Sequence, residues 1–416
     1  MKKYVFSLVL LLIISAGLHG QFGYLLNYYE PEIIDAKAEA LGKTSILSSS
    51  GANYLFNNPA KLSNLKNKNI QVNARVICGK PERKHQGVDL TDNSISTTNH
   101  SFKFPFHAKL NGISAGLPIM LNNNLFELGI GAGYRTYYDW GFNIRHESKE
   151  MLDDELLKEK DKHDFSGGFS TLVLGSGLSY RNKIFAGVSI SFPFISEYKG
   201  EHVDDDGDKS TNEGSLKGTF YTIGVSYKIN EILELGSRVR TGFKLEMDGE
   251  SGSGNNFTTD SSIPAEFGFA IKLKPKNYIN LYFEYLTRDF GSYEKAYIVN
   301  ENTESGYVFR TGCELGTKKL IRFGFFMQSV PVYETKSYYD ELLDDYVFNS
   351  VNRPQNETGI TAGYGFQLPF QIDLNLFGTY SFLNFKESYN FVEDYDVSND
   401  LKYSLFRIGC SLGYSF

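Results

Sequence analysis

The chain has 416 residues with 41% hydrophobic and 22% charged side chains, which excludes a disordered chain, and its 3 Cys exclude a disulfide-stapled scaffold. A net charge of −7 lends no electrostatic support to a nucleic-acid partner. Beyond the N-terminus no run approaches the ~18 apolar residues of a spanning helix, so a helical membrane bundle is also excluded, and 33 Phe, 28 Tyr and 40 Gly point to strands.

Residues 1–20 read as a secretory signal peptide: Lys2 and Lys3 form a basic start, Tyr4 to Ile14 an apolar stretch, and small residues follow to Gly20. The residue after Gly20 is Gln21 and not Cys, so lipoprotein attachment there is not expected. Residues 21–67 are rich in Asn, Ser, Ala and Leu and lack long alternation, which separates them from residues 68–416.

From residue 68 onward the chain alternates with period two, as strands do. Ile70, Val72, Ala74, Val76 and Cys78 oppose Gln71, Asn73 and Arg75; at the far end Phe406, Ile408, Cys410, Leu412, Tyr414 and Phe416 oppose Arg407, Gly409, Ser411, Gly413 and Ser415. About fourteen such segments are expected, longer than soluble strands. They begin near residues 68, 107, 124, 165, 182, 215, 231, 262, 277, 304, 319, 355, 370 and 401. Their connections alternate between short turns and long loops, the pattern of a transmembrane antiparallel β-barrel in a bacterial outer membrane. The expected long loops are 80–106, 147–164, 199–214, 249–261, 292–303, 336–354 and 389–400. Closure leaves no unpaired backbone edge in lipid. The C-terminal strand is the expected contact for the barrel assembly machinery.

The charges follow the same parity. Glu234, Arg238, Arg240, Lys244 and Glu246 share one face against Leu233, Leu235, Val239 and Phe243, and Arg310, Glu314 and Arg322 are set likewise. A charge facing lipid at midplane costs about 2–4 kcal/mol, so these side chains belong in the lumen, as a paired ladder. On the third strand Gly129, Gly131 and Gly133 share the inward parity and leave room for a close approach or a bulge.

The stretch before the first strand carries Ala38, Leu41 and Gly42, then Gly51, and then Asn57, Asn58, Pro59, Ala60 and Leu62. This resembles the N-terminal hatch of the FadL-type long-chain fatty-acid transporters, and also a sister group, the PorV/PorQ-like barrels of type IX secretion. The resemblance implies an all-β fold: a barrel of about 14 strands whose lumen is plugged by residues 21–67, with Gly42, Asn58, Pro59 and Ala60 as the hatch motif. It implies a non-enzymatic function, the transport of long-chain fatty acids or other hydrophobic compounds. Extracellular loops would capture the ligand, and a lateral opening near the third strand would release it, with Gly129, Gly131 and Gly133 as candidates. Arg75 and Arg407, on the two strands that close the barrel, are the expected carboxylate partners. The sister group implies instead a barrel that binds exported proteins.

The loops add little chemistry. Met151, Leu152, Glu155, Leu156 and Leu157 predict a short amphipathic helix within 147–164. Acidic loops suit contact with lipopolysaccharide, and outer-membrane lipid is the expected surrounding. Asp204, Asp205, Asp206 and Asp208 around Gly207 lack the downstream Glu and flanking helices of a calcium loop. No zinc spacing, nucleophile motif or cofactor motif appears. Cys78 and Cys410 stand at different heights, which argues against a disulfide.

Overall fold

The computed structural model describes residues 34–416 apart from 80–81, 90–94, 103, 122–124, 140–141, 153–154, 204–208, 251–255, 264, 289–304, 341–344 and 393–394. The expected signal peptide at 1–20, residues 21–33, the aspartate cluster at 204–208 and the loop 292–303 therefore lie outside the described residues.

Residues that alternate so regularly pair edge to edge until the sheet closes. The result is an antiparallel barrel of 14 strands. Strand β1 runs Asn69–Gly79 and continues as Glu82–Asp89; β2 comprises Ile95–Phe102 and Phe104–Met120; β3 comprises Phe126–Asp139 and Phe142–Leu152. Next come β4 (Glu155–Tyr180), β5 (Ile184–Val203), β6 (Lys209–Lys217 and Phe220–Lys228), β7 (Leu233–Arg240 and Phe243–Glu250) and β8 (Asn256–Ile263 and Glu266–Lys276). The rest are β9 (Ile279–Arg288), β10 (Gly306–Leu315), β11 (Lys319–Asp340), β12 (Asp345–Leu368), β13 (Ile372–Val392) and β14 (Tyr395–Ser415). Closure is between β1 and β14, from Asn69↔Ser415 to Gly79↔Leu405. Ala74 faces Cys410 while Cys78 faces Phe406, so the two cysteines stand apart in register, and Cys410 is a free thiol.

The wall is apolar outside and polar inside. In β6, Tyr221, Ile223, Val225 and Tyr227 are each nearly half exposed, whereas Phe220, Thr222, Gly224 and Ser226 are buried. The same split holds around the barrel, which is the arrangement lipid requires of an outer-membrane protein. Among the described residues no helix is long and apolar enough to cross a membrane.

The short turns are tight. Arg181 and Asn182 (φ 51° and 53°) join β4 to β5, and Phe370 and Gln371 (φ 66° and 59°) join β12 to β13. Two successive residues at positive φ make the turn whose twist matches the flanking strands. At the other end the structure corrects two expectations. Much of the expected long loops is strand: Val203 pairs with Lys162, and the β11–β12 hairpin stays in register out to Asp340↔Asp345. The helix expected within 147–164 does not form. Phe142–Leu152 pairs with 155–165 as a hairpin, Leu152 opposite Glu155. An isolated helix of that length is marginal in water, whereas continuing an existing ladder adds paired backbone groups without a new nucleus.

Residues 34–65 fold inside the ring. They form helix α1 (Ala36–Ala40), helix α2 (Tyr54–Asn57) and two 3₁₀ turns, Gly51–Asn53 and Pro59–Asn64. Asp35 caps α1 by accepting from Lys37 N at 2.8 Å, and its other oxygen accepts from the Ser50 N–H at 2.5 Å. Ile34, Leu55, Phe56 and Leu62 bury one another against Val173 of β4, so the apolar core sits between this plug and the inner wall.

Candidate functional site

The plug is seated by close approach and by polar contacts. Inward glycines on successive strands bring the wall up to it. A Cβ on Gly187 would meet Pro59 C at 2.5 Å and Ala60 Cα at 2.7 Å, and one on Gly312 would meet Leu41 Cβ at 2.7 Å. Gly42 (φ 68°) is wedged between β10 and β11; a Cβ there would lie 2.5 Å from Phe325 O. Gly129, Gly131 and Gly133 face inward as expected. They pack on Leu62, on Leu55 and Leu62, and on Phe56 respectively.

Polar side chains then pin the plug backbone. On β1, Asn69 accepts from Ala52 N (2.7 Å) and Gln71 from Asn53 N (3.2 Å), while Asn53 and Asn73 exchange amide hydrogen bonds at 3.0 and 3.1 Å. Glu284 Oε2 accepts from Ser45 N (2.7 Å) and Ile46 N (2.8 Å), and its Oε1 accepts from Arg310 at 2.9 Å. Asn58 Nδ2 donates to Ile46 O at 3.0 Å, which ties the Asn-Pro-Ala element to the rest of the plug. Arg322 donates to Glu314 at 2.8 Å, and Lys61 pairs with Glu234. Of the lumenal charges read from parity, Glu234, Arg238, Arg240, Arg310, Glu314 and Arg322 thus make cross-strand or plug-to-wall ion pairs, while the side chains of Lys244 and Glu246 lie outside the described residues.

A second cluster lies further from the short turns. Glu266 of β8 is bonded by Arg240 (3.1 Å) and Arg288 (3.1 Å) and also by Arg238. Arg135 of β3 lies over the Tyr137 ring at 4.5 Å and Arg240 over the same ring at 5.9 Å. Tyr137 in turn packs edge-on against Phe220 (5.0 Å) and Phe169 (5.9 Å). All of these side chains are buried on the lumenal face. Four guanidiniums (Arg135, Arg238, Arg240, Arg288) and the carboxylate of Glu266 thus gather beside an aromatic wall. Such a site suits a ligand with an apolar body and an anionic end.

Arg75 and Arg407 are also inward and buried, on the closing strands. Arg407 stands 3.9 Å from Glu357, and Arg75 is paired in register with Lys109 of β2. They are not part of the cluster around Glu266. Sequence reasoning missed Arg135 and Tyr137. Both continue the inward parity of Gly129, Gly131 and Gly133, and the register shift between Thr136 and Tyr138 changes the facing only of the residues that follow Tyr137.

The wall is interrupted close by. Strands β2 and β3 pair from Met120↔Glu127 to Gly112↔Arg135 and again at Phe102↔His146 and Ser101↔Glu147. Among the described residues no ladder pair joins them in between, and there Thr136 Oγ1 reaches Leu110 O at 3.3 Å. Register shifts flank the interruption on β2 near Asn111, on β3 at Tyr137 and on β5 at Phe194. Bulges bend strands and end pairing at functional places. Gly129, Gly131 and Gly133 themselves lie where β3 is paired without a break on both sides. The interruption therefore begins beyond Arg135, not at the three glycines.

Among the described residues no group of three or more His, Cys, Asp and Glu side chains could hold a metal ion.

No family model matches the chain, and no curated protein matches it. Solved structures do. The Pseudomonas putida toluene transporter TodX matches 93% of this chain and 99% of its own, at 13% identity and a TM-score of 0.53. A Pseudomonas aeruginosa FadL homologue matches 95% and 100%, at 10% identity and a TM-score of 0.62. The Ralstonia pickettii toluene transporter TbuX matches 93% and 99%, at 10% identity and a TM-score of 0.55. Across almost its whole length, then, the chain has the fold of the FadL-type transporters.

Proposed function

We propose that this barrel carries hydrophobic compounds across the outer membrane, with long-chain fatty acids as the ligand class. Extracellular loops would capture the ligand, the lumenal cluster would hold it, and a movement of the plug would release it sideways between β2 and β3. The observation that carries the reading is the cluster itself: Arg135 and Arg240 against Tyr137, with Phe169 and Phe220 behind, offer guanidinium donors to a carboxylate and aromatic faces to a chain. The interrupted ladder on the neighbouring strands supports a lateral path. Solved structures of like fold, among them toluene transporters, support the apolar cargo.

The test is uptake of labelled oleate, and of toluene, by cells lacking their own fatty-acid transporter, with this barrel displayed in the outer membrane. Oleate uptake that falls in Arg135→Ala and Arg240→Ala while toluene uptake persists supports the carboxylate site. A displayed, folded barrel that carries neither compound overturns transport. Capture of exported proteins would then be measured, as the PorV/PorQ-like alternative requires.

A further inference from the structure

The charge of this chain is unevenly placed. The whole sequence carries −7, yet the rim formed by the short turns is cationic. Arg181 and Lys183 occupy the β4–β5 turn, Lys276 the β8–β9 turn, Lys318 and Lys319 the approach to β11, and Lys68 the approach to β1; all six are exposed. The acids that reach solvent on this rim are already engaged: Glu127 by Lys66 at 3.0 Å and Glu231 by Lys228 at 2.9 Å. Asp373 shares the inward parity of Asn375 and is only partly exposed. Three of the rim cations lie over aromatic rings: Arg181 over Tyr180 (5.2 Å), Lys276 over Tyr278 (5.8 Å) and Lys68 over Phe416 (5.9 Å). Aromatic rings beside cations are what a membrane–water interface selects.

One place on this rim opens into a groove. Ala115 of β2 and Ala132 of β3 are register partners, and Ala132 is itself paired with Leu174 of β4. On the outer wall two alanines thus sit side by side between larger neighbours, Ile70 on one flank and Leu174 on the other. The groove has a volume of about 410 Å³ and ends at Lys68 and Phe416. Its walls are almost wholly apolar, and it faces the space that lipid fills.

We propose that the rim and this groove bind phospholipid of the facing leaflet, with the phosphate on the rim cations and one acyl chain in the groove above Lys68. The charge excess matches an anionic headgroup, and the groove gives a chain direct van der Waals contact where two small side chains recess the wall. The inference rests on the barrel lying in the membrane with its short turns at a phospholipid leaflet. It does not rest on transport, so a barrel that carries nothing still retains the lipid.

The test uses the full chain purified in nonionic detergent, with dioleoylphosphatidylglycerol or dioleoylphosphatidylcholine added and bound lipid counted by native mass spectrometry. Each cation near an anionic lipid surface contributes about a fivefold preference, so phosphatidylglycerol is retained at least about fivefold over phosphatidylcholine. Ala132→Leu removes the most tightly retained phosphatidylglycerol, and Ala115→Leu probes the same groove should the first variant not fold. Replacing Lys68, Arg181 and Lys183 by Gln lowers retention, whereas Lys68→Arg keeps it. Heat-modifiable migration confirms that each barrel is folded. Equal retention of the two lipids, or retention that survives either the groove or the rim variant, overturns the proposal.

Discussion

At the residue scale, the lumen shows what buried charge is for. Glu266 joins three arginines of two neighbouring strands, so one carboxylate holds part of the wall together. Breaking a buried pair by removing one partner costs about 3–5 kcal/mol, because the remaining charges are left uncompensated. Glu266→Gln is therefore expected to destabilise the barrel by about 3 kcal/mol, read from urea unfolding in lipid vesicles. Arg135 is different, because its guanidinium is laid over Tyr137 at the cluster's edge, next to the interrupted wall. Hydrogen bonds to charged groups are worth about 1.5–3 kcal/mol, so Arg135→Ala should weaken binding of a fluorescent fatty acid by roughly 10- to 100-fold. The methyl ester of the same probe should bind both proteins alike. Arg75→Ala and Arg407→Ala serve as the comparison, since those arginines stand on the closing strands.

At the element scale, most of the wall is legible in the amino-acid sequence alone. Tyr221, Ile223, Val225 and Tyr227 alternate with Phe220, Thr222, Gly224 and Ser226, and parity by itself places the two sets on opposite faces. Parity fails where the register shifts. A bulge flips every later side chain, and nothing in Tyr134–Tyr138 marks that Tyr137 is the extra residue. The hairpin at 142–165 is illegible for another reason: its apolar residues fit a short helix, and only the strands already formed below it favour continued pairing. The short turns carry a strain that the sequence also hides. Phe370 and Gln371 both sit at positive φ, where a side chain is disfavoured by roughly 1–2 kcal/mol. Gln371→Gly is expected to raise the unfolding free energy by about 1 kcal/mol, measured by the same urea titration.

At the scale of the whole molecule, the plug decides whether the barrel is a passage. It touches strands on opposite sides of the ring: Ser45 N donates to Glu284 of β9 at 2.7 Å and Gly42 N to Thr361 of β12 at 2.8 Å, while Ala52 N donates to Asn69 of β1 and Ser114 of β2 donates to Asn53 at 2.9 Å. A segment held on so many sides does not leave readily as a unit. Release needs fewer broken contacts as a local shift of the part beside β2 and β3, where the wall ladder is already interrupted. That part can be locked. An ideal Cβ on Gly116 of β2 would lie 3.3 Å from Ala52 Cβ, close to the separation a disulfide spans. The other close neighbour there is the end of the Leu65 side chain, which can turn aside. Gly116→Cys combined with Ala52→Cys should therefore form a bridge between plug and wall under oxidising conditions. If ligand passes by movement of this part of the plug, the oxidised double variant loses uptake, a reductant restores it, and each single variant transports as the parent does. If uptake continues with the bridge formed, the ligand leaves without moving the plug there, and the interruption between β2 and β3 alone must serve as the exit.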